Sequence, residues 1–103
     1  MNPHAGEVEV VIDGVPRVMK LTLGALAELE ADLGCDTLLA LVARLEGGEV
    51  SARDVLRLVV AGLRGGGWRV RADDLLGADI RGGPVEAARA AALLLARAFA
   101  VPG

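Results

Sequence analysis

The chain has 103 residues, of which 53% are hydrophobic and 24% are charged, and its 11 basic and 14 acidic side chains give a net charge of −3. This apolar content is enough for one packed core and excludes a disordered chain, and the length predicts a single domain over residues 1–103. The acidic balance and the low aromatic content, 2%, argue against general binding of nucleic acids, which needs basic patches and stacking side chains.

The sequence shows no pattern typical of export or of membrane insertion. Its first residues lack the basic stretch and apolar run of a signal peptide. The longest apolar stretch, 90–96, is far shorter than the roughly 20 residues that span a bilayer. The single cysteine, Cys35, excludes a disulfide within the chain. We therefore expect a cytoplasmic protein that does not enter membranes.

The first predicted element is a β-hairpin. Two β-branched runs, 7–12 and 15–21, flank Asp13-Gly14, a pair typical of a two-residue type I′ turn. That turn places Ile12 opposite Val15. The next pairs in this register are Val10–Arg17, Val8–Met19 and Glu7–Lys20. The predicted inner face consists of Val8, Val10, Ile12, Val15 and Met19, with Glu9 and the Glu7–Lys20 pair facing solvent. A lone hairpin is only marginally stable, so helices must cover its apolar face.

Two helices are predicted after the hairpin. Thr22 is a suitable cap for a helix over 23–33, in which three leucines recur at helical spacing: Leu26, Leu29 and Leu33. Glu30 borders this stripe, and we expect it to pair with Arg17 of the hairpin. A second helix is predicted from about residue 37 to residue 46.

The third predicted helix, 52–64, has the clearest start. Ser51 supplies a hydroxyl and Asp54 a carboxylate three positions later, which is close to a capping box. Its predicted core face is Val55, Leu56, Val59, Val60 and Leu63. The triglycine at 65–67 would end this helix because glycine breaks helices.

The remaining chain is predicted to contain a short extended stretch, 68–71, a helical turn, 72–76, and a last helix, 84–100, that starts at Pro84. The sequence pattern of residues 77–83 predicts neither a helix nor a strand. The predicted buried side of the last helix is Val85, Ala88, Ala92, Leu95 and Phe99, with Ala87 and Ala91 permitting close backbone approach. Its predicted solvent face carries Glu86, Arg89 and Arg97.

These elements together predict an α+β fold. The N-terminal β-hairpin, within 7–21, is expected to pack on a bundle of about four α-helices, within 22–101.

Residue types that support catalysis are sparse. His4 is the one histidine and lies near the N-terminus, and Cys35 has no neighbouring base to activate it. Asp73, Asp74 and Asp79 could offer oxygen ligands to Mg²⁺, but a solvated helix start is the better interpretation. The triglycine lacks the Lys-Ser/Thr of a phosphate-binding loop. We therefore expect no catalytic residue, no metal site and no cofactor, and we predict that the protein is not an enzyme.

Arginines are the most conspicuous polar residues. Five of them follow one another in the third predicted helix and the segment after it: Arg53, Arg57, Arg64, Arg69 and Arg71. The first three fall on one side of the helix. This strip has three interpretations: an ordinary solvated face, a contact with an acidic protein partner, or a helix-turn-helix-like reader of DNA.

Several apolar residues near these arginines are candidate interface anchors. Trp68, followed by Val70, either fills the core or anchors an interface, since Trp and Arg are frequent in binding hot spots. Phe99 and Val101 present the same choice near the C-terminus. The predicted partner-binding residues are Trp68, Val70, Phe99 and Val101, with Arg53, Arg57 and Arg64 as a polar rim.

The order of these parts carries a family resemblance. The hairpin around Asp13-Gly14 is followed by LTLGALAELE at 21–30, by Gly47-Gly48 and by AGLRGG at 61–66. In this order the chain resembles the small tail-assembly-chaperone family of bacterial gene transfer agents and related siphophage tails, which is also described as a tail tube family. The resemblance extends from about Glu7 to Phe99.

The resemblance implies a non-enzymatic morphogenesis factor of a gene-transfer-agent or prophage-like particle. Members are thought to coat the tape-measure protein, keep it soluble and help recruit tail tube subunits, so the implied partners are these two proteins. A two-stranded sheet has exposed edges that can pair with another copy of the chain, so the sequence is also compatible with a homo-oligomer. The alternative is a small helix-turn-helix-like DNA-binding regulator that uses the third helix, although the acidic charge disfavours nucleic acid.

Overall fold

The computed structural model describes residues 6–33, 40, 43–44, 47 and 51–98. Its elements are β1 (Glu7–Ile12), β2 (Val15–Lys20), α1 (Leu23–Leu33), α2 (Ala52–Gly65), α3 (Ala72–Leu75) and α4 (Gly83–Ala98). The architecture is α+β, with an N-terminal hairpin followed by helices, as predicted. Most of the second predicted helix, together with Cys35, Phe99 and Val101, lies outside the described residues.

The hairpin has the predicted register. β1 and β2 are antiparallel, with Ile12 opposite Val15 and Glu7 opposite Lys20. Asp13 and Gly14 have φ angles of 51° and 80°. A type I′ turn requires positive φ at both central residues, and Gly adopts it without strain.

Four of the five residues predicted on the inner face are buried: Val8, Val10, Ile12 and Met19. The prediction that Val15 is buried is wrong, because Val15 is 45% exposed. Helix α2 approaches β2 near Val18 and Lys20, at the opposite end of the strand from the turn. Val15 follows the turn directly and therefore stays accessible to solvent.

Helix α1 begins and ends as predicted. The Thr22 hydroxyl accepts a hydrogen bond from the backbone N–H of Ala25 at 3.1 Å, which caps the helix. Leu29 is buried and Leu26 is half-buried, so these two leucines of the predicted stripe face the core, and the side chain of Leu33 lies outside the described part of the chain. The N-terminal Leu23 projects into solvent.

Helix α2 contacts β2, α1, α3 and α4 and is the central element of the fold. Its predicted capping box is present: the Ser51 hydroxyl accepts from the Asp54 N–H at 3.1 Å, and the Asp54 carboxylate accepts from the Ser51 N–H at 3.3 Å. The buried apolar residues of α2 are Leu58, Val59, Ala61, Gly62 and Leu63. The other predicted core residues, Val55, Leu56 and Val60, are half-buried.

The glycines after Arg64 do more than end the helix. Gly65 still belongs to α2, and a Cβ atom built there would lie 1.9 Å from the carbonyl oxygen of Lys20. A residue with a side chain therefore cannot occupy this position without moving one backbone segment away from the other. The absence of a side chain allows the end of α2 to lie directly against β2.

The segment between α3 and α4, which the pattern left unassigned, docks on the hairpin. The Asp13 N–H donates to the carbonyl of Asp79 at 2.8 Å, and the Asp79 N–H donates to the Asp13 carboxylate at 2.9 Å. The Arg81 N–H donates to the carbonyl of Val11 at 3.0 Å, and Ile80 forms a β-bridge with Ile12. These bonds cover part of the open edge of β1.

The buried side of α4 differs from the prediction. Its buried residues are Ala87, Ala90, Ala91, Leu94 and Leu95. Val85 and Ala92 were expected to be buried but are exposed. Arg89 and Arg97 are exposed as predicted, and the partly exposed Glu86 side chain lies 3.9 Å from Arg89 on that face. Small or apolar residues surround this helix almost completely, so periodicity alone does not determine which side packs. Ala87 and Ala91, which were predicted to permit close backbone approach, are both buried.

Candidate partner-binding surface

The structure separates the predicted partner-binding residues into two groups. Arg53, Arg57 and Arg64 lie exposed on the outer side of α2, as the helical spacing predicts. Val70 is 3% exposed and belongs to the hydrophobic core, so its side chain is not accessible to a partner in this structure. Phe99 and Val101 lie outside the described residues.

Trp68 is held between the core and the hairpin. It is half-buried, packs against the core, and its backbone N–H donates to the carbonyl of Leu63 at 2.9 Å. The guanidinium carbon of Arg17 lies 4.0 Å from the centre of the Trp68 ring, which is a cation–π contact. Within the described part of the chain no ion pair joins Arg17 to Glu30, so that prediction is wrong. Trp68 therefore connects β2 to the end of α2.

An apolar groove lies between the outer side of α2, helix α3 and the start of α4. We define it by Val55, Leu56, Leu75, Leu76, Ile80 and Pro84, and its volume is about 560 Å³. Leu76 is 72% exposed, and Val85, next to Pro84, is 73% exposed. Arg53 and Arg57 lie along the α2 wall of the groove, and Asp73 lies on the α3 wall. An open apolar floor with arginines beside it is typical of protein-binding surfaces.

A second groove lies beside the first and is lined by arginines. We define the arginine groove by Arg57, Arg64, Arg69 and Arg71, with Val60 and Glu28 among its other lining residues, and its volume is about 580 Å³. Arg57 and Ala72 line both grooves, so the two are contiguous. The sequence predicted a basic strip that includes Arg69 and Arg71, and the fold places them in one groove with Arg57 and Arg64.

The inner start of α2 carries an ion pair that sequence reasoning missed. Asp54 is 6% exposed, and its carboxylate accepts a hydrogen bond from a guanidinium nitrogen of Arg44. Arg44 belongs to the stretch between α1 and α2. The capping-box pattern placed the Asp54 carboxylate at a helix start, but it did not indicate a cation partner for this carboxylate. The ion pair joins Arg44 to the first turn of α2.

The described residues thus form a small α+β protein whose surface carries two adjoining open grooves, the apolar groove and the arginine groove. None of its described helices is long and apolar enough to cross a bilayer.

Residues 5–101 match the model of the family described as "Phage tail tube protein, GTA-gp10". The match covers nearly the whole chain, so the protein belongs to this family of phage and gene-transfer-agent tails, in agreement with the resemblance noted from the sequence. No curated protein and no solved structure matched the chain.

Proposed function

We propose that this protein is a non-enzymatic tail-assembly chaperone of a gene-transfer-agent or prophage-like particle. In this role it binds the tape-measure protein in the cytoplasm before the tail is complete and helps to recruit tail tube subunits. Membership of a tail protein family supports a role in tail formation. The apolar groove is the observation that supports transient binding of a partner protein.

The shape of the apolar groove favours a helical partner. Two helices and the start of a third form its walls, and apolar side chains line its floor. Such a groove takes an amphipathic helix, whose anchors recur every three or four residues. A long helical protein that must stay soluble before assembly offers many such stripes.

The exposed leucine of the groove would contribute directly to this binding. Leu76 is largely solvent-exposed in the free protein, and covering a leucine side chain with a partner stabilises a complex by about 1.5 kcal/mol or more. Arg53 and Arg57 would form the polar rim that we predicted from the sequence, while Trp68 and Val70 would support the fold. We assign no catalytic residue and no cofactor to either groove.

Co-expression with the tape-measure protein tests the proposal. Leu76→Asp should reduce the amount of tape-measure protein recovered with a tagged copy by about tenfold or more, because a charge replaces an apolar anchor. Leu23→Asp is the matched control, since Leu23 is also an exposed leucine but lies at the start of α1, away from the groove. Equal recovery with the two variants would contradict a role for the apolar groove.

A further inference from the structure

We propose that the arginine groove is a binding site for an acidic peptide segment of a partner protein. This site is distinct from the apolar groove, and the inference does not depend on the partner being the tape-measure protein. The ligand class is a stretch of chain rich in Asp or Glu, recognised through its carboxylates.

The charge of the groove is opposite to that of the chain around it. Four of the 11 basic residues line it, and Glu28 is the one acidic residue among the described lining residues, so these residues together have a formal charge of +3. The net charge of the chain is −3, which leaves −6 for all other residues. Like charges held together in this way repel one another, and a bound anionic segment would relieve that repulsion.

The guanidinium groups of the groove are available to a ligand. Arg57, Arg69 and Arg71 are exposed, and the structure shows no ion pair for them among the described residues. Arg64 lies 3.5 Å from the Glu28 carboxylate, but both side chains are about half exposed, at 53% and 55%. An exposed pair of this kind is weak, so an incoming carboxylate can replace Glu28.

The type and arrangement of the side chains favour a peptide. All four cations are arginines, whose planar guanidinium groups bind carboxylates through two parallel hydrogen bonds. Between them lie the half-buried side chains of Val60 and Ala72, which can contact the aliphatic part of a peptide.

The same features disfavour duplex DNA. A DNA-binding face needs positive charge spread over a surface that follows the phosphate backbone. Here the cations surround one groove, and the rest of the chain is acidic and would repel the duplex outside it. The apolar groove continues from this site through Arg57 and Ala72, which suits a protein partner with an acidic stretch beside an apolar stripe.

Fluorescence anisotropy with a labelled peptide of alternating Glu and Ala tests the inference at low ionic strength. We expect binding that weakens as salt is added. The double variant Arg57→Gln/Arg69→Gln should weaken it by about tenfold or more. The matched control, Arg81→Gln/Arg89→Gln, removes the same charge from exposed positions outside the groove and should change the affinity by less than about threefold.

Three results would overturn the proposal. The first is an absence of peptide binding by the intact protein at low ionic strength. The second is an equal loss of affinity in the two double variants, which would indicate a general charge effect. The third is tighter binding of a labelled duplex DNA with the same number of charges as the peptide, which would reassign the groove to nucleic acid. Circular dichroism of both variants ensures that all comparisons are made between folded proteins.

Discussion

The two sides of helix α2 differ in almost every respect. Its inner side carries Leu58 and Leu63, which are fully buried, and ends at Gly65 against the backbone of β2. Its outer side carries exposed arginines and forms a wall of two open grooves. One helix therefore both stabilises the fold and presents the candidate binding surface. Substitutions on the inner side should change stability, whereas substitutions on the outer side should change binding.

The largest expected effect is on the inner side, at Gly65. Gly65→Ala would place a methyl group against the carbonyl oxygen of Lys20, and we expect it to lower the free energy of unfolding by about 3 kcal/mol or more. Urea denaturation followed by circular dichroism measures this change. Gly24→Ala is the control: its added Cβ would come no closer than 3.9 Å to Thr22, and alanine favours a helix over glycine by about 1 kcal/mol. Similar stabilities of the two variants would disprove the close contact.

The buried carboxylate at the start of α2 should have the next largest effect. Asp54→Ala removes half of the capping box and the partner of the Arg44 guanidinium, so we expect a loss of about 2 kcal/mol. Asp73→Ala, at an exposed position in the first turn of α3, should cost less than about 1 kcal/mol. Thermal unfolding of the two variants should therefore give clearly different midpoints, and equal midpoints would refute a special role for Asp54.

The contact between Arg17 and Trp68 should have a smaller effect on stability and a clear optical one. Arg17→Ala removes a cation–π contact, and we expect a cost of about 1 kcal/mol. Trp68 is the single tryptophan, so quenching of its fluorescence by acrylamide should increase once the guanidinium no longer covers the ring. Lys20→Ala, at an exposed position of the same strand, should leave the quenching unchanged. Unchanged quenching in Arg17→Ala would show that Arg17 does not shield the ring.

The smallest stability effects are expected on the outer side of α2 and across the grooves. Leu76→Asp and Arg57→Gln change exposed side chains, so each should alter the free energy of unfolding by no more than about 0.5 kcal/mol. Denaturation curves of both variants should therefore overlap with that of the wild type. A loss comparable to that of Asp54→Ala would place these residues in the stabilising part of the molecule and weaken the division between the two sides.

Features that depend on neighbouring residues were predictable from the sequence. The hairpin register follows from Asp13-Gly14 because a two-residue turn fixes which residues face each other. The start of α2 follows from Ser51 and Asp54 because a capping box involves residues only three positions apart.

Features that depend on distant contacts were not predictable. Ile80 and Asp79 reach the hairpin through hydrogen bonds that join residues far apart in the sequence. The buried side of α4 could not be assigned from the sequence, because alanines on several sides of this helix are small enough to be buried. Contacts with β1 and α2 determine which side packs. The candidate site shows both cases: helical spacing placed Arg53 and Arg57 on one side of α2, whereas the two grooves exist only in the folded chain.

We propose that the protein assists tail assembly and is not a building block of the finished tail. Quantitative mass spectrometry of a tagged copy, in cells that are making particles and in the purified mature particles, tests this claim most directly. We expect tape-measure and tail tube proteins to co-purify with the tagged copy from cells. We expect mature particles to contain almost none of the tagged copy. A high copy number in mature particles would contradict this proposal and would show that the protein is a structural component of the tube.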